Sequence, residues 1–221
     1  MAARRALSDA MTRLALARTA ARVAKSGLSP QLSGNISARS GDGFLITPSG
    51  MAFDGLKPAD LVALKAEGAP AGRRSPSSEW QMHQAIYAAR PDVAAIVHAH
   101  SPFATALACV HREIPPFHYM VAVTGAERVP VAKYATFGTE ALAKNVVDAL
   151  GQGYACLIAN HGAIAAGRSL EHAYRIAWEV ETLAAQYARA VQLGVPRLLD
   201  KAEMRRVIAK FQNYGQAEAA E

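Results

Sequence analysis

Val93-Ala94-Ala95-Ile96-Val97-His98-Ala99-His100-Ser101-Pro102 is the stretch on which the reading of this chain turns. Residues 93–98 are a short apolar run ending in histidine, as a buried strand would be, and Ser101-Pro102 opens a helix at a position where the missing proline N–H costs nothing. Two histidines therefore stand at a strand end. With one residue between them on extended backbone, His98 and His100 project to the same face and can grip one ion.

Working outward, residues 35–39 and 44–47 read as strands joined across Ser40-Gly41-Asp42-Gly43, where Asp-Gly is a strong hairpin signal. Residues 61–65 suit a further strand, and the breaker-rich segment 68–76 a surface loop. Ser77 and Ser78 stand where a helix N-cap should be, which puts Glu79 in the first turn of a helix closing before Pro91. Downstream, residues 129–132 look extended, 139–150 helical and 154–159 like a buried strand that His161-Gly162 directly follows. Ser169 caps a long helix through Leu193, and Asp200 with Glu203 forms a capping-box pattern for a last helix through Phe211. At the other end, Leu7, Met11 and Leu14 recur at helical spacing before a stop at Gly27. Strands and helices mix without strict alternation. That favours an α/β layered domain with a mixed or largely antiparallel sheet over a doubly wound parallel one.

Composition narrows the function classes. Across 221 residues no compositional break divides the chain, so one domain spanning 1–221 is expected. The balance of 24 Lys+Arg against 18 Asp+Glu leaves a formal +6 without dense basic runs, which suits anionic metabolites and not nucleic acid. Arg13, Arg18 and Arg22 interrupt the first helix, and no other run approaches bilayer length, so no membrane association is expected. Cys109 and Cys156 form no metal or disulfide spacing, in keeping with a reduced cytoplasmic setting.

His161, between Asn160 and Gly162 at another strand end, supplies a third imidazole, and three histidines with a vacancy describe a catalytic zinc site. Glu79 is the candidate base, because proton abstraction beside a metal-polarised carbonyl needs a carboxylate within reach. The competing bland reading is an acid favoured by the dipole of its helix. Ser77 and Ser78 at that helix start, with the small turns Gly34-Asn35 and Ser49-Gly50, are neutral donors that could converge on a phosphate. His83, one turn after Glu79, suits a supporting or packing role. His111, His118 and His172 have no partner at useful spacing.

These residues together resemble the class II aldolase/adducin family, and within it the L-fuculose-phosphate branch. The resemblance runs through Ser33-Gly34-Asn35-Ile36-Ser37, Ile46-Thr47-Pro48-Ser49-Gly50, Pro76-Ser77-Ser78-Glu79-Trp80, His98-Ala99-His100 and Asn160-His161-Gly162. Three further segments point to that branch: residues 114–120, residues 134–139 and Phe211-Gln212-Asn213-Tyr214-Gly215. It implies a three-layer α/β domain with a mixed, mainly antiparallel central sheet flanked by helices. It implies one zinc ion per subunit on His98, His100 and His161, with Glu79 as acid/base, and phosphate held by Gly34, Asn35, Ser49, Gly50, Ser77 and Ser78. It also implies a homotetramer with interfacial sites, to which Tyr119, as proton donor for the aldehyde half, and Tyr214 come from a neighbouring subunit. The expected reaction is reversible cleavage of a ketose 1-phosphate, through an ene-diolate, to dihydroxyacetone phosphate and an aldehyde. The substrate would be L-fuculose 1-phosphate or a deoxy- or methylthio-pentulose 1-phosphate. The same residues leave open a sugar-phosphate 4-epimerase, or a dehydratase or decarboxylase on this fold. A non-catalytic adducin-like interaction domain has no need of three metal-spaced histidines beside Glu79.

Overall fold

The computed structural model describes residues 9–30, 32–65, 70–71 and 74–212. The hairpin expected from Asp-Gly is present: Asn35–Ser40 (β1) pairs antiparallel with Gly43–Ile46 (β2), closing on Ser40↔Gly43. Val62–Leu64 (β3) continues the sheet on the β2 side. Pro70–Ala71 (β4) forms its outer edge, within the segment expected to be loop. Proline is tolerated there because an edge strand needs no donor on its outer side.

On the other side of β1 the sheet continues through Ala95–Ala99 (β5), Gly162–Gly167 (β8), Ala155–Ile158 (β7) and Val131–Ala132 (β6), giving the order β4-β3-β2-β1-β5-β8-β7-β6. Only β6 and β7 run parallel, so the sheet is mixed and mainly antiparallel as expected. β8 carries no strand signal of its own in the sequence. Its Gly-Ala-Ile-Ala-Ala-Gly run lacks the β-branched and aromatic residues that mark strands. Packing explains the small side chains: Leu170–Leu193 (α5) lies directly against β8, and a Cβ on Gly167 would come within 2.4 Å of the Ala173 nitrogen.

Asp9–Lys25 (α1), Pro102–Cys109 (α3) and α5 pack together on one side of the sheet, while Trp80–Ala89 (α2) and Glu140–Leu150 (α4) pack on each other. The stripe Ala173, Ile176, Ala177, Val180 and Leu183 of α5 is buried as its spacing requires. Ser169 and Thr139 cap α5 and α4, accepting from His172 N and Leu142 N. Asp200 likewise accepts from Glu203 N at the start of Lys201–Gln212 (α6). The face expected for α1 is wrong: Met11 and Leu14 are 57% and 43% exposed, and Leu16, Ala20 and Val23 face the core instead. Alanines on the buried side let the helix approach closely and hide the stripe from a search for large side chains; Leu7 lies outside the described residues. Among the described residues no helix is long and apolar enough to cross a membrane.

Gly167→Ala should lower stability by about 1–3 kcal/mol, the usual cost of forcing atoms into a packed interface. A denaturant midpoint for the purified variant unchanged from wild type would show that α5 does not rest on β8 this tightly.

Candidate active site

Sheet register brings the site together. Asn35 on β1 pairs with His98 on β5, and His98 pairs with Ile164 on β8, so three strands abut at the level of the first histidine. His100 lies one residue past the end of β5, and His161 sits in the short turn joining β7 to β8. That turn is tight: Asn160 adopts φ +54, and His161 N donates to Ile158 O at 3.0 Å. Gly162 is required beside it, because a Cβ would stand 2.5 Å from Ala99 O and 2.9 Å from Cδ2 of His100. Glu79 arrives from the start of α2, with one difference from expectation. It occupies the N-cap position itself, makes no side-chain cap, and Ser77 and Ser78 precede it. Its carboxylate is aimed at the histidines instead.

The three rings meet edge to face, with centroids 4.8 to 4.9 Å apart. Nε2 of His98 lies 3.0 Å from Nε2 of His100 and 3.1 Å from Oε2 of Glu79, while Nε2 of His161 lies 3.2 Å from Oε1. Ligands each about 2.0–2.1 Å from one tetrahedral ion stand roughly 3.3 Å apart, so this spacing fits a single metal centre. Two further observations agree. Nδ1 of His98 faces Ala163 O at 3.0 Å, which makes Nδ1 the protonated nitrogen and frees the Nε2 lone pair. Oε1 of Glu79 is buried yet has no hydrogen-bond partner among the described residues. Together the four side chains offer atoms all within 4.8 Å of one another.

Burial opposes the charge on Glu79, but the imidazole of His98, then that of His161, and the Asn35 amide outweigh it and hold the carboxyl below its usual range. Burial, reinforced by the neighbouring imidazoles, pushes His100 down to about 4. Burial and then His98 do the same to His161, also to about 4. Both rings are therefore neutral at pH 7, the form that binds metal.

Above this cluster lies a cleft of about 350 Å³ lined by every glycine and serine expected at a phosphate site: Gly34, Ser49, Gly50, Ser77 and Ser78, with Asn35 beside Glu79. Gly34 is held at φ +82, and a Cβ there would meet Ser29 Oγ at 2.4 Å. The donors are more limited than expected. Ser49 N–H and Ser77 N–H already serve Ser75 O and Thr47 O, so neither is free for a ligand, whereas Ser78 is exposed at the cleft. The Asn35 amide is likewise committed, donating from Nδ2 to Oε2 of Glu79 at 3.0 Å and meeting His83 Nε2 with Oδ1. Tyr119 is elsewhere in this chain. It is 51% exposed and stacks on Phe211 of α6 in a separate groove. Tyr214 lies outside the described residues. Leu32, Tyr134 and Phe137 also line the cleft, although they are 59%, 59% and 64% exposed. Tyr134 and Phe137 belong to a segment that the family resemblance singled out, but nothing in the spacing of the three placed them at the cleft. His111, His118 and His172 lie outside the cluster, hydrogen-bonded to Asn160 Oδ1, Met120 N and Arg168 N.

Residues 14–188 match the family described as Class II Aldolase and Adducin N-terminal domain. A 5-methylthioribulose-1-phosphate/5-deoxyribulose-1-phosphate aldolase of Rhodospirillum rubrum is 50% identical over 189 residues, 86% of this chain and 86% of that protein. An L-fuculose phosphate aldolase of Escherichia coli K12 is 41% identical over 191 residues, 86% of this chain and 88% of its own. A solved L-fuculose 1-phosphate aldolase superposes with a TM-score of 0.89 at 38% identity, over 91% of this chain and 96% of that one.

Stability of the metal-free protein should fall as pH drops from about 6.5 towards 4. Across that window His83, held at about 3, and His100 and His161, at about 4, stay unprotonated in the fold, whereas the unfolded chain takes up their protons. The raised pKa of His98 acts above that window, where its contribution is lost as pH rises. The decline should exceed the roughly 1.4 kcal/mol per pH unit carried by one proton. Denaturant titrations at pH 6.5, 5.5 and 4.5 read it directly, and a flat profile would contradict these protonation states.

Proposed function

The chain belongs to the class II aldolase and adducin family as a metal-dependent lyase, and from that premise we propose that it cleaves a ketose 1-phosphate reversibly to dihydroxyacetone phosphate and an aldehyde. The observation that carries the reading is the convergence of three imidazoles and Glu79 beneath the serine and glycine turns of one cleft. Zinc is the metal we assign, since three imidazoles with room for one more ligand match its catalytic sites. Held by His98, His100 and His161, it would draw electron density from the substrate carbonyl and acidify the carbon beside it.

The chain's own side chains do the rest. Ser49, Ser77 and Ser78 present hydroxyls where the phosphate would lie, and the start of α2 adds its positive end. Glu79, ionised near neutral pH, removes a proton from dihydroxyacetone phosphate in the synthetic direction and returns it in cleavage. For the aldehyde half we assign a 5-deoxy- or 5-methylthio-pentulose 1-phosphate over L-fuculose 1-phosphate. The 50% identity to the Rhodospirillum rubrum protein supports this. Tyr119 is assigned to a neighbouring subunit's site in a homotetramer, a reading its exposure and its distance in the fold from the cleft support. The unpaired Cys109 and Cys156 suit a cytoplasmic enzyme.

A panel of ketose 1-phosphates assayed for dihydroxyacetone phosphate release tests the substrate class. Release from the deoxy and methylthio pentuloses, lost on chelation and regained with zinc, is expected; interconversion of epimers without release would establish the 4-epimerase reading instead. Glu79→Gln should bind phosphate as wild type does, yet slow proton exchange on dihydroxyacetone phosphate by about two to four orders of magnitude. Tyr119→Phe should fail differently, with exchange kept and carbon–carbon cleavage strongly depressed. Hybrid oligomers of the two variants should regain cleavage, because some sites then hold both wild-type residues. No recovery despite subunit exchange would return Tyr119 to its own chain.

A further inference from the structure

A file of buried polar groups runs inward from Glu79, and none of them beyond Asn35 touches the cleft. Asn35 Nδ2 stands 3.0 Å from Oε2 of Glu79, and Oδ1 stands 2.5 Å from Nε2 of His83. Nδ1 of His83 stands 2.6 Å from Ser37 Oγ, which stands 2.8 Å from the Tyr87 hydroxyl. His83 and Ser37 are fully buried, and Asn35 and Tyr87 nearly so.

The charge at one end fixes the direction of every bond. An ionised carboxylate only accepts, so the Asn35 amide must turn its NH2 to Glu79 and its oxygen to His83. His83 Nε2 must then carry the ring proton, which leaves Nδ1 to accept from Ser37. Ser37 has a single proton to give, so Tyr87 must donate to Ser37. One arrangement of protons satisfies all four bonds, and reversing any of them sets two donors or two acceptors face to face in a site without water access.

We propose that Tyr87, Ser37, His83 and Asn35 form a one-way hydrogen-bond relay that fixes the Asn35 amide with its NH2 on Oε2 of Glu79 and so holds the carboxylate in place for proton transfer. Turning the Asn35 amide over would set its oxygen against the carboxylate and its NH2 against the His83 Nε2–H, and relief would require changing the His83 tautomer. Asn35 touches the base directly, whereas His83, Ser37 and Tyr87 are positioning residues that act through it. The relay rests on Glu79 being the base, and its polarity also holds the carboxylate plane fixed relative to the histidines.

The test has two arms on the zinc-loaded enzyme. In the first, ¹⁵N-histidine NMR reads the wild-type tautomer: His83 should be protonated at Nε2 between pH 6 and 9, and a proton on Nδ1 would overturn the relay without recourse to any variant. In the second, proton exchange on dihydroxyacetone phosphate is measured alongside zinc content and inorganic phosphate binding. His83→Leu should slow exchange by about 10- to 100-fold, the usual worth of a group that orients a ligand or base, with zinc content and phosphate affinity kept. His83→Gln, whose amide can donate to Asn35 and accept from Ser37, should recover most of that loss; a role in packing alone would favour Leu over Gln. Exchange in His83→Leu equal to wild type would remove the relay. The Glu79→Gln variant separates the two failures. If it exchanges normally the base assignment falls, whereas slow Glu79→Gln with fast His83→Leu discards the relay alone.

Discussion

A carboxylate buried at the floor of a cleft is the constraint around which this structure is arranged. Removing a charge from water costs several kcal/mol unless partners compensate it. The Asn35 amide donates to one oxygen of Glu79, and His98 Nε2 and His161 Nε2 stand 3.1 and 3.2 Å from the two oxygens, where a cation held by the rings would offset the charge. Its own helix gives the side chain no hydrogen bond, since it makes no cap at the start of α2. The sheet must therefore deliver the compensation, and it does so from β1, from β5 and from the β7–β8 turn. A shift of one residue in the register of β1 on β5 would turn Asn35 to the opposite face and leave the carboxylate unpaired.

That arrangement limits the backbone around it. Three imidazoles and a carboxylate can share one point only if β5 and the β7–β8 turn come close, and Gly162 permits that contact. Asn160 accepts a left-handed conformation to turn the chain there, and its Oδ1 is held by His111 at 2.6 Å. Local strain of this kind persists where the surrounding structure dictates it. The small residues of β8 answer a second demand from behind, because α5 lies against them. Stability and function thus use the same strand, one through its glycine ends and the other through the histidine that precedes it.

Much of this was legible in the sequence where the cause is local. The Asp-Gly hairpin, the caps at Ser169 and Asp200 and the His98-Ala99-His100 spacing each act within a few residues, and each stands in the structure as read. What escaped the sequence depends on distant contacts. Asn35 and Glu79 are 44 positions apart, and nothing near Asn35 announces that its amide is spent on a carboxylate. β8 was hidden because the helix packed on it selects alanine and glycine, the residues that suppress a strand signal. For Glu79 the N-cap serines pointed to the right helix start but placed the residue one position too far inside it. His83 was half legible: its spacing of four from Glu79 suggested a supporting role, while its partners Ser37 and Tyr87 did not.

The central claim is that one ion and one phosphate share the cleft defined by these strands and by the start of α2. A crystal structure of the protein loaded with zinc and soaked in inorganic phosphate, with anomalous data at the zinc edge, tests it most directly. The account predicts a single strong peak about 2.0–2.1 Å from Nε2 of each of His98, His100 and His161, with phosphate density against the hydroxyls of Ser49 and Ser78. Zinc bound through other side chains, or phosphate lodged away from those serines while the ion sits on the histidines, would contradict it.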